Sequence, residues 1–162
     1  VYSSCEIYGK QFQKDNDESY QDLYDQARTL KNVNYIGYRS NEFILQKLPH
    51  YHMFVYPSIW EETSCISLLE SLAAGLYCVV TNYGALYETG ADFPAYVNYE
   101  TNLENLAYQF AGAIRMCRDT LHEPVIQEHL DEQQKYYKRF YCWSKRALEW
   151  SNFLASIINE KQ

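Results

Sequence analysis

Two glutamates separated by seven residues, Glu62 and Glu70, are the side chains whose type and spacing most favour chemistry. Glu70 lies in a run rich in leucine and alanine, where an unpaired carboxylate would be costly to bury, so it needs a partner or an open cleft. A carboxylate accepts two hydroxyl hydrogen bonds at once, and a ribose offers such a diol. Without Glu70, the local pattern is equally consistent with Glu61 and Glu62 only complementing a helix dipole and with Thr63 or Ser64 only capping the helix.

The residues that follow Glu62 favour an anion site. A helix is predicted over residues 64–74, and the first amides of a helix have no partner within it. These amides and the helix dipole together attract a phosphate or a carboxylate. The candidate anion ligands are therefore the backbone amides of residues around 64–67.

The elements that must position these residues alternate between strand and helix patterns. Strands are predicted at 1–8, 33–36, 53–56, 77–81 and 95–97. Helices are predicted at about 20–30, after a polar stretch at 11–16, then at 40–48, 64–74, 103–121, 124–140 and 143–158. The alternation predicts an α/β fold, a Rossmann-like parallel sheet with helices on both faces, followed by C-terminal helices.

Ligands of open α/β sheets bind beyond the carboxyl ends of the strands, which selects the loops at 9–10, 37–40, 57–63 and 82–85. Three of these loops carry a glycine, which allows a ligand to approach the backbone closely.

Composition excludes several other classes of function. With 14 Lys and Arg against 21 Asp and Glu, the net charge of -7 disfavours nucleic-acid binding and direct binding to anionic lipid. No apolar run approaches the roughly 20 residues of a membrane span. Five cysteines without a C-x-x-C pair are interpreted as reduced thiols, and no metal site is predicted because His50 and His52 have no cysteine at ligand spacing.

Residues 57–75, PSIWEETSCISLLESLAAG, resemble the E-x7-E segment of glycosyltransferase family 4, which comprises retaining enzymes of the GT-B fold. Glu62 and Glu70 match its two glutamates. Residues 81–89 resemble the next loop of that family, residues 34–38 its nucleobase strand, and residues 140–144 the aromatic–tryptophan start of its last helix. The resemblance is best over 34–89, about a third of the chain.

The resemblance implies a role for each matching residue. Glu62 would be the catalytic residue, hydrogen-bonding the donor sugar near the reacting carbon, and Glu70 would bind the ribose. The amides after Glu62 would hold sugar and pyrophosphate, residues 37–39 would face the base, and residues 84–86 would line the same cleft. The donor-binding residues implied are Glu70, Thr63, Ser64, Cys65, Ile66, Gly37, Tyr38, Arg39, Gly84, Ala85 and Leu86.

Two features depart from the family pattern. Thr63, Ser64 and Cys65 stand where the family usually has Gly-Phe-Gly, and their side chains narrow the approach to the backbone. The Arg and Lys pair that holds the diphosphate has no counterpart, since the chain is expected to begin at the second strand of its lobe. We therefore expect a single domain over 1–162, the C-terminal donor-binding lobe of a GT-B enzyme, which lacks its first strand and the N-terminal lobe and is inactive alone.

The resemblance implies that the complete enzyme is a retaining hexosyltransferase of carbohydrate biosynthesis. It would use a UDP-, GDP- or ADP-sugar without metal or other cofactor, and its acceptor, a glycan, lipid or small molecule, would be held by its own N-terminal lobe. A cytoplasmic location is expected, with any membrane association supplied by that lobe. The alternatives are a non-catalytic nucleotide-sugar-binding or assembly module, a GT-B-fold epimerase, and a Rossmann-like domain whose glutamates are structural.

Overall fold

The computed structural model of the chain describes residues 10–37 and 39–159. These divide into two compact units, one ending at Gln46 and the other beginning at Lys47. The strand predicted at 1–8 and the candidate ligand Tyr38 lie outside the described residues.

The first unit contains the helices α1 (Lys10–Thr29) and α2 (Asn41–Lys47). α1 begins earlier than predicted, because the polar stretch at 11–16 contains neither glycine nor proline and continues the helix. Ser40 caps α2 as predicted, since its hydroxyl oxygen accepts a hydrogen bond from the Phe43 amide at 3.3 Å.

The strand predicted at 33–36 is not formed. Side-chain contacts with α1 hold this extended segment instead. The ring of Tyr35 stacks on the ring of Tyr24, with centroids 5.1 Å apart, and the guanidinium of Arg28 lies 4.8 Å from the centroid of Tyr35. The apolar pattern at 33–36 therefore marks a packed side chain rather than a place in the sheet.

The second unit opens with a short 3-10 helix, Leu48–His50, and contains a parallel sheet of β1 (Met53–Tyr56), β2 (Tyr77–Asn82) and β3 (Ala95–Asn98), in that order. Val79 pairs with Val55 on one side and with Ala95 on the other. The remaining elements are α3 (Ile66–Ala74), α4 (Leu86–Gly90), α5 (Leu103–Thr120), α6 (Pro124–Phe140) and α7 (Trp143–Asn159). The predicted α/β class with a parallel sheet flanked by helices is confirmed, with three strands in the described part of the chain.

The central strand β2 is buried on both faces, because alternate residues of a strand point to opposite sides. Tyr77 and Val79 pack with Val97 and with residues of α5 such as Leu106 and Phe110. On the other side of the strand, the Cys78 thiol lies close enough to Cys65, at the start of α3, to interact with it electrostatically. Helices therefore cover both faces of β2, as predicted.

The helix α3 connects β1 to β2 and packs against α6. Its fully buried residues include Leu68 and Leu72, whereas Leu69 is only half-buried. Gly75 ends the helix in the left-handed conformation, with φ of 83°, as the sequence predicts. The buried Gln133 of α6 donates hydrogen bonds to the carbonyl oxygens of Leu72 at 3.1 Å and Leu76 at 3.0 Å.

The last helix, α7, has no buried residue. Its exposed large apolar side chains lie mostly on one face, since they recur at helical spacing. They are Trp143, Leu148, Trp150, Phe153, Leu154, Ile157 and Ile158. No helix in the described part of the chain combines the length and the apolar character needed to cross a membrane.

Candidate functional site

Glu62 lies in the loop between β1 and α3, at the carboxyl edge of the sheet, and is half-buried. The Tyr56 hydroxyl, at the end of β1, donates a hydrogen bond to Oε1 of Glu62 at 2.5 Å. Burial raises the pKa of Tyr56, and the hydrogen bond to Glu62 raises it further, so the phenol stays protonated and remains a donor. One oxygen of the Glu62 carboxylate is therefore held in place.

The loop after β2 lies directly against the backbone of Glu62. Gly84 has φ of 56°, and a Cβ atom there would lie 2.7 Å from the Glu62 nitrogen and 2.8 Å from its carbonyl oxygen. The Ala85 amide donates a hydrogen bond to that carbonyl oxygen at 2.8 Å. The structure thus brings Glu62, Gly84 and Ala85 together, and only glycine fits at position 84.

Leu86, which was also predicted to line this cleft, is the first residue of α4, and its side chain is fully buried. Only its backbone can face a ligand.

The amino-terminal end of α3 begins two residues later than predicted. Cys65 is the N-cap in an extended conformation, and the Leu69 amide makes the first intrahelical bond, to the Cys65 carbonyl oxygen at 3.1 Å. The helix amides that precede this bond are those of residues 66–68, so the anion-binding end of α3 lies there. Of the predicted ligands, Thr63, Ser64 and Ile66 are exposed.

The Cys65 side chain is buried rather than directed to a ligand. Burial raises the pKa of the Cys65 thiol, while the neighbouring amides of Leu68 and Ser67 act in the opposite direction. The thiol is therefore neutral at ordinary pH. Because the Cys65 side chain is buried, it does not narrow the space through which a ligand would approach the backbone at this point.

Glu70 lies on the face of α3 that lines a cavity of about 300 Å³ and is half-buried. We call this space the α3–α7 cavity. Its lining residues are Ile66, Leu69, Glu70, Ala73, Tyr141, Trp143 and Arg146. The sequence predicts that the Glu70 carboxylate needs a partner or an open cleft, and the residue lies at this cavity.

Two of the predicted donor-binding residues, Gly37 and Arg39, belong to the first unit. Gly37 is half-buried, and its φ of 70° lies in the left-handed region that favours glycine. Arg39 is exposed, and its guanidinium lies 5.9 Å from the ring centroid of Phe43. Among the described residues no cluster of His, Cys, Asp and Glu is arranged to hold a metal ion.

The sequence reasoning missed two sets of aromatic residues at this edge of the sheet. Tyr56 was counted only as part of a strand, although its place at the strand end pointed to the cleft. Tyr83 and Tyr99 each follow directly after β2 and β3, and their rings stack with centroids 4.1 Å apart. A tyrosine just beyond a parallel strand was the signal that could have identified all three.

The comparison with protein families agrees with this geometry. The family described as glycosyl transferases group 1 matches residues 4–115, more than half of the chain. A search among curated proteins found no match. The matched region includes Glu62, Glu70 and the loop at Gly84 and ends within α5. Such a protein binds a nucleotide sugar and an acceptor. The fold is consistent with this family, and because its model matches more than half of the sequence, the chain belongs to the group 1 glycosyltransferases.

Proposed function

We propose that this chain is the donor-binding lobe of a retaining, family 4 hexosyltransferase that uses a UDP-, GDP- or ADP-sugar. The observation that carries the proposal is the arrangement around α3. Glu62 stands before its amino-terminal end, the first-turn amides have no partner within the helix, and Glu70 lines a cavity beside it. A sugar, a diphosphate and a ribose follow one another in a nucleotide sugar in the same order.

The chemical difficulty is the charge that develops as the bond between the anomeric carbon and the diphosphate oxygen breaks. The electron pair leaves with the diphosphate, and the amides at 66–68 stabilise that negative charge. The sugar becomes oxocarbenium-like, and the Glu62 carboxylate supports its positive charge and orders its hydroxyls. Glu62 is not assigned as a nucleophile. The new bond forms to the acceptor oxygen, whose proton is removed by a group on the acceptor side.

The Tyr56 hydrogen bond suits Glu62 to this role. It occupies Oε1 and leaves the other oxygen as an acceptor for a sugar hydroxyl. We assign the Glu70 carboxylate, on the side of α3 that lines the cavity, as the acceptor for the ribose hydroxyls. The proposal therefore gives separate tasks to the two glutamates.

Titration of the chain with UDP, GDP, ADP and their sugar conjugates, followed by NMR, tests the donor site. One nucleotide should bind selectively, and Glu70→Ala should weaken its binding by roughly tenfold to a hundredfold, because hydrogen bonds to a charged group contribute about 1.5–3 kcal/mol. Glu132→Ala, at an exposed position of α6, is the matched control and should bind as the parent does.

The amide spectrum of each variant shows whether the fold is intact. If Glu70→Ala binds as tightly as the parent, the ribose assignment is wrong. If the chain binds none of these nucleotides, the donor-lobe proposal is wrong. Binding without transfer when an acceptor lobe is supplied would identify a binding module instead of an enzyme.

A further inference from the structure

A second cavity, of about 350 Å³, lies at the amino ends of the parallel strands, on the opposite side of the sheet edge from Glu62. Its walls are residues 51–52 before β1, residues 74–75 before β2, the turn at 121–122 and one face of α6. We call it the amino-edge cavity. Its polar lining residues are Tyr51, His52, His122, Gln127, Asp131 and Gln134. It shares no residue with the α3–α7 cavity.

The wall before β1 is held by backbone hydrogen bonds. The Tyr51 amide donates to the Leu48 carbonyl oxygen at 3.0 Å, and the Tyr77 amide donates to the His52 carbonyl oxygen at 3.0 Å. His52 is thus tied to the first residue of β2. This wall is therefore built on the sheet and exists before a ligand arrives, as is usual for small-molecule sites.

Two glutamine side chains of α6 are held by the backbone around the cavity. Nε2 of Gln134 donates to the Ala74 carbonyl oxygen at 2.9 Å, and Nε2 of Gln127 donates to the Leu121 carbonyl oxygen at 2.6 Å. A Cβ atom at Gly75 would lie 2.9 Å from Nε2 of Gln134, so the glycine leaves room for this side chain. Within residues 10–37 and 39–159 neither amide oxygen accepts a hydrogen bond, so both remain as acceptors that are already oriented.

Asp131 adds a carboxylate to these acceptors, one helical turn after Gln127 on the same face of α6. In the described part of the chain this carboxylate has neither a hydrogen-bond partner nor an ion pair. The cavity lining contains no lysine or arginine. An anionic ligand would therefore meet a carboxylate with no opposing cation, which disfavours phosphate.

The lining sets the chemistry of a suitable ligand. Because acceptors predominate, the ligand must bring several hydrogen-bond donors and no negative charge. Leu121, Leu130 and the Tyr51 ring, which is 44% exposed, add apolar surface. A neutral pyranose combines several hydroxyl donors with an apolar C–H face. The volume of about 350 Å³ is at the lower end of the range for small-molecule sites and suits a short saccharide.

We propose that the amino-edge cavity is a carbohydrate site that holds a neutral monosaccharide or disaccharide, with its hydroxyls on Asp131, Gln127 and Gln134. This site goes beyond the proposed function, because Glu62 and the first turn of α3 serve the other edge of the sheet. The chain then binds saccharide at a place separate from the donor.

NMR titration with methyl glucoside, methyl galactoside, methyl mannoside, N-acetylglucosamine, maltose and lactose tests the site. The imidazole C–H signals of His52 and His122 should shift with at least one saccharide, while that of His129, which does not line the cavity, should not. Asp131→Ala should weaken saccharide binding about tenfold or more, because hydrogen bonds to a charged group are lost. Glu128→Ala, exposed on α6 and off the cavity, is the matched control and should bind as the parent does.

The proposal is wrong if no saccharide shifts the His52 and His122 signals, or if Asp131→Ala binds as tightly as Glu128→Ala. If methylammonium or inorganic phosphate shifts these signals and the saccharides do not, the cavity is an ion site instead. Glu70→Ala, which tests the donor site, should bind the saccharides as the parent does. A loss of saccharide binding in Glu70→Ala would mean that the saccharides occupy the donor site and not this cavity.

Discussion

The Tyr56 hydroxyl positions the Glu62 carboxylate by donating a hydrogen bond to it across the loop between β1 and α3. Within the same loop, the Ser58 hydroxyl oxygen accepts a hydrogen bond from the Trp60 amide at 3.2 Å. The sequence could place Glu62 in a loop after a strand but could not pair it with Tyr56. Pairing depends on how the loop folds back over the strand end, which neither residue type nor spacing specifies.

Replacing the hydroxyl in Tyr56→Phe should lower the free energy of unfolding by about 1–2 kcal/mol, because a hydrogen bond to a charged acceptor is lost at a half-buried site. Urea unfolding followed by circular dichroism measures the loss. In a Glu62→Gln background the same change should cost clearly less. Equal losses in both backgrounds would show that the Tyr56 hydroxyl acts through some other partner.

Tyr108→Phe removes a hydroxyl from a tyrosine that is 74% exposed and is the matched control for Tyr56→Phe. Its free energy of unfolding should stay within about 0.5 kcal/mol of the parent, as is usual for surface changes.

At the scale of elements, those with strong local signals were predicted well. The strand β1 and the helix α6 have the predicted bounds, because Pro57 ends the first and Pro124 begins the second. The predicted start of α1 is too late, because a polar stretch gives no periodic apolar signal. The strand predicted at 33–36 is wrong, because a run of only four residues fits both a strand and a packed loop. Tertiary contacts, such as the Tyr35–Tyr24 stack, decide such segments.

The junction between α3 and α6 depends on the buried amide of Gln133, which joins two carbonyl oxygens near the end of α3. Gln133→Leu should lower the free energy of unfolding by about 1–3 kcal/mol, because both hydrogen bonds are lost without solvent to replace them. Chemical unfolding measures it, with Gln46→Leu at an exposed position of α2 as the control. A loss no larger than that of the control would mean that this amide does not hold α6 to α3.

At the scale of the whole molecule, the class of fold and the carboxyl edge of the sheet could be predicted, because they follow from the alternation of strands and helices. The division into two units and the α3–α7 cavity could not. The cavity depends on residues far apart in sequence, such as Glu70 and Arg146, which line it together and which no local pattern brings together. The sequence predicts α7 as a helix, and no residue of this helix is buried within the described part of the chain.

Several buried tyrosines give the molecule a pH-dependent stability. Burial raises the pKa of Tyr56, Tyr96 and Tyr137 in the folded chain. In the unfolded chain these phenols ionise near their usual pKa of about 10. Above that pH the unfolded state has released protons that the folded state retains. The stabilisation is therefore complete below about pH 10 and is lost as the pH rises towards the higher folded-state values.

The contribution of these phenols to the free energy of unfolding, measured in urea between about pH 8 and pH 11, should accordingly be constant at first and then fall. Tyr137→Phe removes one such phenol, so the fall above about pH 10 should become less steep by about 1.4 kcal/mol per pH unit. The exposed Tyr108→Phe variant should keep the slope of the parent. An unchanged slope in Tyr137→Phe would rule out this phenol as a source of the alkaline sensitivity.

The close contact at Gly84 has a consequence for how the site moves. No side chain separates Gly84 from the Glu62 backbone, and the Ala85 amide is bonded to the same carbonyl oxygen. With no rotamer between them to absorb a displacement, we expect the two loops to shift together. The Thr89 amide is bonded in turn to the Ala85 carbonyl oxygen at 2.9 Å, so we expect a displacement of the Glu62 backbone to be passed on to the start of α4.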